Sequence, residues 1–210
     1  MRFDDIYFIN GLAYAGKSTM IHLLAEKYDG IECGENYHDA LLDGLDAKEF
    51  PNLCYTRDLA DWHDFIRRSP EEYSRWIADV TKECEILELR ILKDLTGKGK
   101  KIFVDTNISP ETLHEIASPG HVIIMLADPS ISVRRFFERP DREKQFLYRL
   151  LMEEPDPQRA LDNYRKGLEM INSQENYDHF LNCGFPVIFR DEDRTVEETL
   201  ALVEEMFGLK

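Results

Sequence analysis

The stretch Ile6-Tyr7-Phe8-Ile9-Asn10-Gly11-Leu12-Ala13-Tyr14-Ala15-Gly16-Lys17-Ser18-Thr19 decides the fold. It opens with a continuous apolar run, Ile6 to Ile9, closed by Asn10, which reads as a strand buried on both faces. Gly-x-x-x-x-Gly-Lys-Ser follows over Gly11 to Ser18, and an amphipathic helical pattern then runs from Lys17 to Tyr28. Glycines at the two ends of such a loop let the backbone curl until its amides converge on phosphate oxygens. Lys17 is then placed to reach β- and γ-phosphates, and the Ser18 hydroxyl to ligate Mg2+. A helix starting beside Gly16 adds its free amides and the positive end of its dipole. The expectation is a nucleoside triphosphate with Mg2+ bound by Gly16, Lys17 and Ser18.

Four further runs resemble the first strand: Ile31-Glu32-Cys33, Ile102-Phe103-Val104, Val122 to Leu126, and Val187-Ile188-Phe189. Most are continuously apolar rather than alternating, which suits a parallel sheet covered by helices. Longer helical patterns separate them, so an α/β three-layer domain is expected. The helix starts are marked. Ser69-Pro70-Glu71-Glu72 is a capping box with proline at the first helical position, opening a helix that runs to about Leu95. Ser109-Pro110, Asp128-Pro129 and Asp156-Pro157 repeat the cap-then-proline signature. Thr195 to Glu198 is a second capping box, and Gly208 closes the last helix. The interval between Cys33 and Ile102 far exceeds what a crossover needs. It is expected to hold a helical insertion in which Trp62 and Trp76 pack as core aromatics.

The balance of charge excludes several classes. The chain has 210 residues and a net charge of −15, with 43% apolar residues and 11% aromatic. That is too apolar for disorder and suits a single domain over residues 1–210. Phosphate neutralisation needs clustered Lys and Arg, so no nucleic-acid partner is expected, and an anionic membrane surface would repel the chain. No apolar run reaches the ~20 residues that span a bilayer, and no signal peptide is apparent at the N-terminus. Cys33, Cys54, Cys84 and Cys183 form no C-x-x-C pair. They read as reduced, buried thiols of a cytoplasmic protein.

Candidate chemistry spreads outward from the loop. Asp105 ends an apolar strand, and ligands of a parallel sheet gather at strand carboxyl ends, so Asp105 is expected on the metal side with Ser18. Glu35 follows the second strand, with Asp39 four residues on; either is a candidate base for a substrate hydroxyl. Arg57 is a candidate acceptor contact. Arg135 and Arg139 are spaced to share a helix face, Pro140 breaks that helix, and Arg142 starts the next. Arginines on such a hinged pair can neutralise charge developing on a transferred phosphoryl group. The acidic segments at Glu153-Glu154 and Asp191-Glu192-Asp193 read as solvated surface.

With Gly11 to Thr19, the strand end at Asp105 and the arginines from Arg134 to Arg142, the chain resembles the P-loop small-molecule kinases of the nucleoside/nucleotide kinase and shikimate/gluconate kinase type. The resemblance implies a P-loop NTPase fold with a five-stranded parallel sheet of order 2-3-1-4-5. It implies an acceptor-binding insertion over residues 35–100, a lid over 128–155, and γ-phosphoryl transfer from ATP with Mg2+. Nucleotide contacts then fall on Gly11, Ala13, Tyr14, Ala15, Gly16, Lys17, Ser18, Thr19 and Arg142, with Lys17, Arg135 and Arg139 acting on the transferring group. The segment Arg190 to Asp193 would lie near the purine base. The acceptor signatures of these kinases are not matched: Asp105-Thr106-Asn107 stands where they carry other residues. The acceptor is therefore expected to be a nucleoside, a nucleotide or a small hydroxyl metabolite, used by a monomer or homodimer. The alternative is an ATP-binding regulatory or interaction protein with little turnover.

Overall fold

The computed structural model describes residues 2–138 and 140–209. Its elements run β1 (Ile6–Gly11), α1 (Lys17–Lys27), β2 (Ile31–Cys33), α2 (Pro51–Arg57), α3 (Trp62–Ile66) and α4 (Pro70–Leu95). Next come β3 (Ile102–Asp105), α5 (Pro110–Ile116), β4 (Val122–Leu126), α6 (Pro129–Arg135) and α7 (Arg142–Glu153). α8 (Pro157–Ile171), α9 (Gln174–Leu181), β5 (Val187–Phe189) and α10 (Val196–Met206) complete the chain. Two 3-10 segments, Tyr37–Gly44 and Phe136–Glu138, lie between them.

The five strands form one parallel sheet in the order β2-β3-β1-β4-β5. β1 is central: Ile9 lies opposite Asp105 of β3, and Gly11 opposite Met125 of β4. Alternation along β1 feeds two cores. Tyr7 and Ile9 pack with Met20, Ile21 and Leu24 of α1 and with Val203 and Phe207 beside α10. Ile6 and Phe8 pack with Leu92 of α4 and Leu113 of α5 on the other face. Both faces of the sheet are thus covered by helices, which is why the inner strands β1, β3 and β4 are apolar along most of their length. Each fully buried side chain of this size contributes about 1.5–3 kcal/mol.

The chain divides into two compact units. The first holds the chain up to Ala40, Cys84–Ala127 and the chain from Tyr177, and so carries the whole sheet. The second, Leu41–Glu83 with Asp128–Asn176, is helical. Its core gathers Phe65, Ile66, Tyr73, Leu150, Leu151, Leu161, Tyr164 and Leu168, with Trp62 and Trp76 packed against them. Arg68 lies over the ring of Tyr55, 4.0 Å from its centroid. Among the described residues no helix is long and apolar enough to cross a membrane.

Several caps explain where helices begin. At the start of α4 the Ser69 amide donates to the Glu72 carboxylate and the Glu72 amide to the Ser69 hydroxyl, and Thr195 with Glu198 do the same for α10. Ser109, Asp128 and Asp156 each accept an amide of the helix they precede, with proline next. Two expectations are corrected here. The α-helix from Pro129 stops at Arg135 and tightens into the 3-10 turn Phe136–Glu138, so helical i,i+4 spacing does not carry on from Arg135. Cys183 is only half-buried, whereas Cys33, Cys54 and Cys84 are buried.

Candidate active site

The loop between β1 and α1 takes its shape from three left-handed residues. Gly11 has φ 117°, and a Cβ there would strike the Met125 carbonyl oxygen on the neighbouring strand. Tyr14 has φ 65° and Gly16 φ 94°. Alternation of right- and left-handed backbone turns successive amides to one side, the geometry of an anion nest. Asn10 anchors the loop's entry: its Nδ2 donates to the Ile108 carbonyl at 2.6 Å, and its Oδ1 accepts the Gly11 amide at 2.6 Å. Gly16 is the N-cap of α1 and has no side chain to satisfy the first amides, so these remain available to an anion.

Three charged or polar side chains meet at the strand ends. Ser18 Oγ donates to Asp105 Oδ2 at 2.7 Å. Lys17 Nζ lies 3.7 Å from Asp105 Oδ1 and donates to the Leu12 carbonyl at 3.2 Å. Asp105 is 5% exposed. Burial raises its pKa above the ordinary aspartate value, while the Lys17 charge and the Ser18 hydrogen bond hold it down. Glu35 lies close enough for its negative charge to add to the upward push. Ser18 and Asp105 offer two hard oxygens in contact, a donor set that fits Mg2+, which keeps several waters and shares phosphate oxygens. Among the described residues no group of three His, Cys, Asp or Glu forms a ready-made metal site. An ion here would need further ligands from water or a bound anion.

A cavity of about 520 Å3 opens beside the loop. Its walls include Gly16, Thr19, Met20, Met125, Arg190 and Asp191. Glu192 and Arg194 also line it, and Asp191 to Asp193 are exposed, as expected of solvated surface. Two methionines on one wall suit a flat, polarisable ring.

Behind Asp105 lies a buried polar network. Glu88 of α4 is wholly buried and accepts from Thr106 Oγ1 at 2.6 Å, the Asn107 amide at 3.0 Å and Asn107 Nδ2 at 2.8 Å. His38 Nδ1 sits 3.4 Å from Glu88 Oε1, and the Cys84 thiol lies 3.2 Å from His38 Nε2. Glu88 thus ties the segment after Asp105 to the segment after Glu35.

The other sequence candidates fare differently. Glu35 sits in an exposed turn, and the helical segment starts only at Tyr37, in 3-10 form. Glu35 and Asp39 therefore do not share an α-helical face, since a 3-10 turn holds three residues and Glu35 lies outside it. Burial raises the Asp39 pKa, opposed by His38 3.7 Å away. Arg57 is occupied: its guanidinium donates to the Leu42 and Leu45 carbonyls, both at 2.9 Å, and forks onto Asp58. These bonds tie the segment around the 3-10 turn to α2. Arg135 lies 3.9 Å from Glu138, and Arg142 opens α7 behind the Asp141 cap; both belong to the helical unit. Arg139 lies outside the described residues. Glu154 is not solvated surface, because His63 Nδ1 meets it at 2.6 Å and Arg67 Nε donates to it at 2.9 Å.

Asn10, Glu88 and the methionines of the cavity wall were not singled out by sequence. Asn10 had a signal, a lone amide at the end of an apolar strand directly before the first loop glycine. Glu88 had none, since α4 carries carboxylates along its whole length. No protein-family model and no curated protein matches the sequence.

Proposed function

We propose that the chain is an ATP-dependent phosphotransferase of the P-loop NTPase fold, acting on a small acceptor bearing a hydroxyl group, most simply a nucleoside, a nucleotide or a polar metabolite. One observation carries the reading: Lys17, Ser18 and Asp105 converge at the C-terminal ends of adjacent strands, directly under a loop of nest geometry. That is where a parallel sheet collects its ligands. In this reading the loop amides and Lys17 hold the β- and γ-phosphates, which fixes the donor for in-line transfer. Lys17 leaves Asp105 for the phosphate, and the dipole of α1 adds to the positive field. Ser18 and Asp105 would hold Mg2+, which when bound neutralises phosphate charge. Glu35, whose charge reaches Asp105, is the candidate to orient the acceptor hydroxyl and take its proton. Four cysteines, none of them in a disulfide, suit a reducing, cytoplasmic setting.

The test is ADP release from Mg-ATP against a panel of nucleosides, nucleotides, sugar acids and other hydroxyl metabolites, with Lys17→Ala as the blank. Acceptor-dependent ADP release that disappears in the blank supports the reading and names the acceptor class. ATP binding by calorimetry without release across the panel would overturn phosphotransfer to these acceptors, leaving a nucleotide-binding regulator. Equal ATP binding by Lys17→Ala and wild type would overturn the nucleotide site itself.

A further inference from the structure

Arg190 sits just past β5, and its root is fixed in the sheet: its backbone amide donates to the Leu126 carbonyl at 2.7 Å. From there its guanidinium Nη1 donates to the carbonyl of Tyr14, at the crest of the phosphate loop. Tyr14 is the one left-handed residue of that loop that is not glycine, a conformation that costs a non-glycine residue about 1 kcal/mol or more unless its surroundings hold it. The same arginine lines the cavity beside the loop.

We infer that Arg190 is a positioning residue for the phosphate loop, a role that rests on the reading of that loop as a triphosphate site. A peptide plane has its carbonyl on one side and the following amide on the other. Holding the Tyr14 carbonyl toward Arg190 therefore turns the Ala15 amide the opposite way, toward the nest. The guanidinium suits this task because it makes strong charge-assisted hydrogen bonds. Rooted just past β5, it links the sheet edge to the crest of the loop. The consequence is specific. Arg190 acts on the phosphates through the loop, so its loss weakens every polyphosphate, with or without a base.

The experiment compares calorimetric binding of Mg-ATP and of magnesium tripolyphosphate, which lacks base and sugar, to wild type, Arg190→Ala and Arg190→Gln. Hydrogen exchange of the Ala15 to Ser18 amides is followed in the free proteins. Loss of one charge-assisted bond predicts about tenfold weaker binding of both ligands alike. It also predicts faster exchange at the loop amides before any ligand is added, which a contact to the base or simple charge attraction would not produce. Weaker ATP with unchanged tripolyphosphate would overturn the proposal in favour of a base contact. Unchanged loop exchange would overturn it in favour of plain electrostatics. If wild type binds neither ligand, the triphosphate reading fails and this inference with it; if wild type binds both, the inference is tested separately.

Discussion

Asp105 keeps a carboxylate in a buried position because two neighbours offset part of the cost. Its pKa is pushed up first by burial and pulled down by Lys17 and by the Ser18 hydroxyl. Removing either neighbour leaves burial less opposed, so the pKa climbs further from the ordinary aspartate range. Lys17→Met and Ser18→Ala are each expected to raise the Asp105 titration midpoint in the free protein, the lysine change more, since its charge ranks ahead of the hydrogen bond. Carbon-13 NMR of the Asp carboxyls, with Asp105→Asn to assign the signal, reads this directly. A midpoint that stays put or drops in Lys17→Met would mean that the ammonium does not sit beside the carboxylate in solution. The residue has a mechanistic consequence too. In the proposed nucleotide site, a metal taking the place of Lys17 beside Asp105 would free the ammonium for phosphate.

At the scale of elements, helices borrow caps from one another. α2 begins after Phe50, which offers no side-chain oxygen to the first amides. Glu83 of α4 supplies it instead, accepting the Leu53 amide at 2.8 Å, the Asn52 amide at 3.1 Å and Asn52 Nδ2 at 2.7 Å. Glu83 is 8% exposed, so its removal leaves those donors with little water to replace it. Glu83→Ala is expected to cost about 3 kcal/mol, above an ordinary cap deletion, read as a lower denaturant midpoint. A loss below ~0.5 kcal/mol would show that water takes over the capping. The same contrast explains what was legible in sequence. β1, β3 and β4 announced themselves because two-sided burial leaves an uninterrupted apolar run. The starts of α4, α5, α6, α8 and α10 were legible because a cap acts within three or four residues of its helix. Asp105 was legible from its place at a strand end. Glu83 and Glu88 were not, because their partners lie far along the chain and a buried acceptor has the same letter as a solvated one. For Glu35 and Asp39 a spacing of four carries no shared face, because the backbone there is a turn followed by a 3-10 segment.

Across the whole molecule, a net charge of −15 and a divided set of carboxylates fix the pH dependence of stability. Asp58, Glu72, Asp128 and Glu154 have lowered pKa values: Arg67 then His63 act on Glu154, Arg57 on Asp58, and local Ser donors on Glu72 and Asp128. A lowered acid stabilises the fold above its unfolded pKa and loses that contribution as pH falls through its folded value, which places the loss below about pH 4. Asp39 and Asp105 are raised, chiefly by burial, so the fold disfavours their ionised form and protonation on acidification helps it. His22, raised by Glu32, acts in the same sense: its contribution is full below the ordinary histidine pKa and fades as pH rises above it. Self-repulsion among the surplus acids also eases as pH drops from neutral. Three effects therefore favour mildly acidic solution, and one opposes it only in the strongly acid range. The denaturant midpoint is expected to hold or rise from pH 7.5 to about pH 5.5 and to fall steeply below about pH 4. Salt at about 0.3 M should raise the midpoint at pH 7.5 more than at pH 5.5, because screening acts on repulsion that acid has already reduced. Glu154→Gln should flatten the acid limb without moving the neutral side's slope. A midpoint that declines steadily from pH 7.5 to 5.5 would mean that paired carboxylates, rather than burial and repulsion, govern the neutral range.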